Sequence, residues 1–256
     1  MESLLAEITT ETIFAFFLIF CRIGAAIMLL PSIGETFISP RSRLIIALGL
    51  SLIILPVIKK MLPAIPASMI TMFIYIFSEI LIGVFFGVIA RLVMSALHVA
   101  GMIISYQMGL AAANMFDPTQ GGQSSAIGTF MSFLAILLIF TSGTHYLFLQ
   151  GILDSYEIFI PNSSLPVEGF SNIVVQVAAE SFMVGFKMSS PIIVMGLILY
   201  LGAGVMGRLM PQMQVFFVLI PMQIILGIFI LLTVLSATMM WFMDYYQETM
   251  SNFLAF

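Results

Sequence analysis

Residues 106–122 read YQMGLAAANMFDPTQGG and separate two long apolar runs that they resemble in nothing. Gly109, Ala111, Ala112 and Ala113 strip away side-chain bulk. Asn114 and Asp117 add polarity, and Pro118 with the Gly121–Gly122 pair breaks regular structure. Met108, Leu110, Met115 and Phe116 keep the segment apolar. At membrane depth, irregular backbone survives only where protein buries it or where it lines a cavity. A broken, small-residue segment between spanning runs is therefore the best candidate for the working part. The competing reading is an ordinary interfacial loop.

Working outward, the composition sets the class. The chain has 256 residues, 61% of them hydrophobic and 8% charged, with a mean hydropathy of +1.18. Soluble domains carry about 25% charged residues, so this is a polytopic membrane protein and all-α. A net charge of −4 gives no basic face for nucleic acid. The lone cysteine, Cys21, allows no internal disulfide. The acidic start MESLLAEITTE lacks the positive region of a signal peptide, so the first span is expected to be retained.

About six main apolar runs follow. The first, 12–33, is interrupted by Arg22 and ended by Pro31. A mid-span charge costs about 2.5–3.5 kcal/mol on insertion scales, so Arg22 is expected to face protein or water, with a carboxylate as its partner. GETFISPRSR then reads as a link, and 44–58 as a run short for a span. In the third run, 69–94, Glu79, Gly83, Gly87 and Arg91 recur every four residues and are expected along one helix face. GVFFG is a small-xxx-small notch for a neighbouring helix. Residues 95–110 continue as helix. Run 126–152 has a polar interruption at 141–145, and 154–172 reads as an acidic loop. Run 173–206 holds Glu180, Lys187 and Pro191. Arg208 and Pro211 form a turn, and 213–243 ends near the interfacial aromatics Trp241, Tyr245 and Tyr246. Arg41, Arg43 and Arg208 place their loops on the cytoplasmic side and both termini outside; Lys59 and Lys60 are the exceptions.

Catalytic signatures such as HExxH, GxSxG or a P-loop do not occur. No catalytic residue, metal ligand or cofactor is expected. His98 and His145 lack Cys, Asp or Glu at ligand spacing and read as packing residues. Glu180 and Lys187 lie two turns apart on one side of a helix; inter-subunit ion pairing is the favoured reading. A secondary transporter using that pair and residues 106–122 is the alternative, though no inverted repeat supports it. An intramembrane protease is a distant third, because no nucleophile–base pair is present. The 21 methionines suit an adaptable seal, or simply an apolar bundle.

GMIISYQMGLAAANMFDP resembles the central signature of the FliR family, called SctT in virulence-associated type III secretion. GRLMPQMQVFFVLIPMQIILG resembles that family's second signature, and PSIGETFISPRSRLIIALGLSL and GTHYLFLQGILDSYEIFIP agree as well. The resemblance covers essentially the whole chain. It implies a FliP-like helical half (residues 1–172) followed by a FliQ-like helical hairpin (173–256). It also implies a conical assembly with FliP and FliQ homologues, and an FlhB-type switch protein and unfolded export substrates as further partners. The location implied is the bacterial inner membrane, in the flagellar basal body, with part of the assembly at periplasmic height. Flagellum and virulence injectisome both stay open on the residues, with the flagellum favoured.

By the same resemblance the chain is a non-enzymatic core component of the export gate. Its channel plug is formed by Met108, Gly109, Leu110, Ala112, Met115, Phe116, Asp117 and Pro118. Ala112 stands where relatives often carry a bulky residue. Glu79, Gly83, Gly87, Arg91, Glu180 and Lys187 are expected at helix or subunit contacts, and Arg208 with Pro211 at a cytoplasmic turn.

Overall fold

A computed structural model describes residues 2–35, 38–110, 125–159, 167–210, 212 and 214–252. The helices among them are α1 (Glu2–Leu29), α2 (Pro40–Ile58), α3 (Met69–Gln107), α4 (Ala126–Thr141), α5 (His145–Ile158), α6 (Val167–Leu209) and α7 (Val215–Asn252). One 3-10 turn, Lys59–Met61, follows α2. A chain this apolar has to satisfy its backbone N–H and C=O groups within its own segments, which a helix does. Among the described residues, five helical stretches are long and apolar enough to cross a membrane, or six if the α4–α5 pair is one span. The chain is an all-α polytopic membrane protein.

Three boundaries differ from the sequence reading, each for a local reason. The second run is not short. Ser39 caps α2 by accepting the Ser42 N–H at 3.2 Å, and Pro40 takes the first helical position, where its missing N–H costs nothing. PRSR is therefore helix rather than link, and the span runs Pro40–Met61. As expected, the helix of run 69–94 continues beyond residue 94, giving the 39-residue α3. Run 126–152 divides into α4 and α5 at its polar interruption, where Gly143 takes φ +75°. Much of the supposed acidic loop is also helix. α5 continues to Ile158 because Ile152, Ser155 and Tyr156 form a buried face, and α6 begins at Val167.

By their contacts the residues group into two units: Met1–Val93 with Ser142–Val177 and Gln247–Phe256, and Met94–Thr141 with Ala178–Tyr246. The first is organised around a buried charge. Arg22 of α1 is 1% exposed and Glu79 of α3 is fully buried. Arg22 Nε donates to Glu79 Oε2 at 2.6 Å and Nη2 to Oε1 at 2.9 Å, a bidentate pair. Nη1 donates to Ser155 Oγ at 2.9 Å, and Nη2 also to the Phe159 carbonyl at 3.1 Å. The guanidinium carbon sits 3.7 Å from the Tyr156 ring centroid. One side chain thus joins α1, α3 and α5.

The glycines of α3 make that geometry reachable. A Cβ on Gly83 would run into the Arg22 carbonyl oxygen, and one on Gly87 would lie 2.5 Å from Leu29 Cβ. The start of α6 docks on α3 by ring stacking of Phe170 on Phe85, with centroids 4.1 Å apart.

Removing one partner of a buried ion pair costs about 3–5 kcal/mol, because the other charge is left uncompensated, whereas an apolar replacement of both is often near neutral. Glu79→Ala should therefore lower the thermal stability of the detergent-solubilised protein sharply. Arg22→Met combined with Glu79→Leu should recover most of that loss. Equal losses in the single and double variants would show that the pair does not carry the packing.

Candidate functional site at the end of α3

In the second unit, α3 is stopped by its own backbone chemistry. Gly109 adopts φ +73°, a left-handed conformation that suits a residue without Cβ. Its N–H donates to the Tyr106 carbonyl at 3.1 Å, and the Leu110 N–H donates to the Ser105 carbonyl at 3.0 Å. These two bonds are the pair that closes a glycine-terminated helix. The Ser105 and Tyr106 carbonyls near the end of α3 are thereby satisfied by backbone.

Both later helices of this unit press on that last turn. A Cβ on Gly196 of α6 would collide with Gln107 Oε1. A Cβ on Gly227 of α7 would lie 2.5 Å from Met108 Cγ and 3.2 Å from its sulfur. Met108 fills this notch and has no exposed surface. Gln223, one turn before Gly227, is 3% exposed, and its Oε1 would be 3.2 Å from a Cβ at Gly109. Its Nε2 has no hydrogen-bond partner among the described residues.

The chain returns to α3 at Ser125. Ser125 Oγ accepts the Gly128 N–H at 3.2 Å, capping the first turn of α4. The same hydroxyl donates to the Gly101 carbonyl at 2.8 Å. With its one proton so used, Ser125 accepts from Ser105 Oγ at 2.5 Å. The helices touch here, since a Cβ on Gly101 would strike the backbone of Gly128. The chain thus leaves α3 at Leu110 and rejoins its last two turns at Ser125.

Of the expected plug residues, Met108, Gly109 and Leu110 lie at the end of α3. Ala112, Met115, Phe116, Asp117 and Pro118 lie outside the described residues, as does Pro211. Arg208 is exposed in the last turn of α6. Glu79, Gly83 and Gly87 face α1, whereas Arg91 is exposed. Each four-residue step overshoots a helical turn by about 40°, so Arg91 stands about 120° round from Glu79. Glu180 and Lys187 are both exposed on α6. Sequence reasoning missed Ser125, Gly196 and Gly227 as contacts. The usable signal was a glycine or serine inside a run of large apolar residues, where a small side chain marks a close approach.

Holding a residue with a Cβ in the left-handed region costs about 1–3 kcal/mol. Gly109→Val should therefore loosen the end of α3, read as faster limited proteolysis of the purified protein, while Gly109→Asn should be close to wild type. Equal behaviour of the two variants would remove the role assigned to the left-handed turn.

The model of the family described as bacterial export proteins, family 1, matches residues 13–249. Flagellar biosynthetic protein FliR of Caulobacter vibrioides is 37% identical over 236 residues, 92% of this chain and 94% of that protein. FliR of Bacillus subtilis is 30% identical over 247 residues, covering 94% and 95% of the two chains. FliR of Aquifex aeolicus is 29% identical over 244 residues, covering 93% and 92%. With matches that run almost from end to end, the chain belongs to family 1 of the bacterial export proteins, and within it to the FliR family.

Proposed function

We propose that this chain is a membrane-embedded, non-enzymatic component of the flagellar type III export apparatus. With FliP and FliQ homologues it encloses the channel that unfolded substrates cross. The observation that carries this reading is the family match over residues 13–249. The relatives named above are flagellar biosynthetic proteins, which favours the flagellum over a virulence injectisome.

The chain sits in the bacterial inner membrane within the flagellar basal body, with part of the assembly at periplasmic height. Residues 1–172 act as the FliP-like part and 173–256 as the FliQ-like hairpin. Arg208 and Pro211 lie at its cytoplasmic turn, where an FlhB-type switch protein has access. The exposed Glu180 and Lys187 face partner subunits, since charge left against lipid is costly. A secondary transporter would instead need an enclosed midplane site, and these two groups are not enclosed within the chain.

Residues 106–122 form the plug. The contacts at Leu110 and Ser125, on either side of its central part, support this, because the helix ends there are closed by partners outside residues 111–124. Met115 and Phe116 supply apolar groups that a passing chain can replace, methionine being readily repacked.

Cells lacking the chain should fail to export flagellar substrates, and reintroducing it should restore export. Deleting residues 111–116 should leave the complex assembled but leaking, read as ion conductance or dye uptake in cells making the full complex. A deletion that assembles and stays tight would place the seal elsewhere, for instance in the partner subunits.

A further inference from the structure

We propose that the last turn of α3 is a fixed seat, gripped by Gly196, Gly227 and Gln223, which stays closed while a substrate passes. Met108 is then an anchor and not part of the moving seal. The proposal rests on the reading of residues 106–122 as the channel segment and assigns positioning residues to it.

Three observations support a seat over a hinge. First, Met108 is wholly buried and lies against a position on α7 where any side chain larger than hydrogen would occupy its space. A side chain lining a lumen would keep exposed surface; this one has none. Second, the backbone at 109–110 is already closed by its two hydrogen bonds, so swinging this turn would break both and free the Ser105 and Tyr106 carbonyls. Third, the grip comes from two helices at once: α6 gives up its Cβ at Gly196 to admit Gln107, and α7 does so at Gly227 to admit Met108. Gln223 stands beside Gly109 with its amide nitrogen unpartnered among the described residues, closing the side of the turn that glycine leaves open. In apolar surroundings such close approaches, rather than water exclusion, hold helices together.

A cysteine pair tests this directly. Met108 Cγ lies 2.5 Å from a Cβ at residue 227, and Met108 Cβ is one bond farther. The two Cβ atoms are therefore at most about 4 Å apart, within the range of about 3.5–4.5 Å that a disulfide spans. Met108→Cys with Gly227→Cys, in a Cys21→Ala background, is placed in the full complex in cells. Substrate export is compared before oxidation, after oxidation and after reduction.

The expected result is that the bond forms in the assembled complex and that export by the oxidised form stays within about twofold of the reduced form. A larger loss that reductant reverses would overturn the proposal by showing that the seat opens in each export cycle. Failure of the bond to form in an assembled complex would overturn it too, since Met108 would not be at Gly227.

If the pair does not assemble, Met108→Cys alone is probed with a membrane-permeant maleimide. Protection in both resting and exporting cells supports the seat, and labelling that appears only during export overturns it. The leak assay on the 111–116 deletion judges the plug itself. A tight deletion would withdraw the channel role of residues 106–122 while leaving the cross-link to decide whether the turn moves.

Discussion

Helices surrounded by lipid or by other apolar helices gain little from excluding water, so they must be held by close approach and by polar groups that find partners. The contacts described above follow from that constraint. Gly83 and Gly87 let α1 lie against α3. Gly101 and Gly128 let α4 touch α3, and Gly185 brings α6 within reach of Ala96 and Val99. Gly196 and Gly227 admit side chains of the last turn of α3. Large apolar residues such as Phe217, Phe229, Leu232 and Ile225 stay exposed on the surface of the chain, as suits helices whose outer faces meet lipid or neighbouring subunits.

Polar groups divide along the same line. Arg22 and Glu79 are buried together, and the guanidinium also donates to Ser155 and the Phe159 carbonyl. The pair therefore fixes which face of α1 meets α3 and where α5 ends. At the other unit's centre the polar atoms are weaker and serve as caps: Ser125 ends one segment and starts a helix with a single hydroxyl. The charges of α6, Glu180 and Lys187, are exposed on the chain. That arrangement suits a protein whose outer surface is completed by other subunits.

Much of this was legible from the residues alone. The helical class and the number of spans follow from the lengths of apolar runs separated by proline, glycine and charge. The cost of a mid-span arginine called for a carboxylate partner for Arg22. Other features were hidden for identifiable reasons. Pro40 and Ser39 read as a link because proline breaks helices in their interior, yet they start one here. The 154–172 stretch read as loop because its acidic residues are plain in the sequence, whereas the burial of Ile152, Ser155 and Tyr156 depends on α5 meeting Arg22. A four-residue spacing suggested one face for Glu79 to Arg91, but the drift of the helix carries Arg91 away from it. The contacts at the end of α3 bring together residues far apart in sequence, such as Met108 and Gly227, and no local pattern announces such a pairing.

The central claim is that the end of α3 borders the path of exported chains. Tyr106, on its last turn, is 65% exposed, and Phe77, nearer the start of the same helix, is 63% exposed. A photo-crosslinking amino acid placed at each position, in cells carrying a substrate stalled during export, tests the claim most directly. The account predicts that the stalled substrate is captured from position 106 and not from position 77. Capture from neither position, or from position 77 alone, would contradict it.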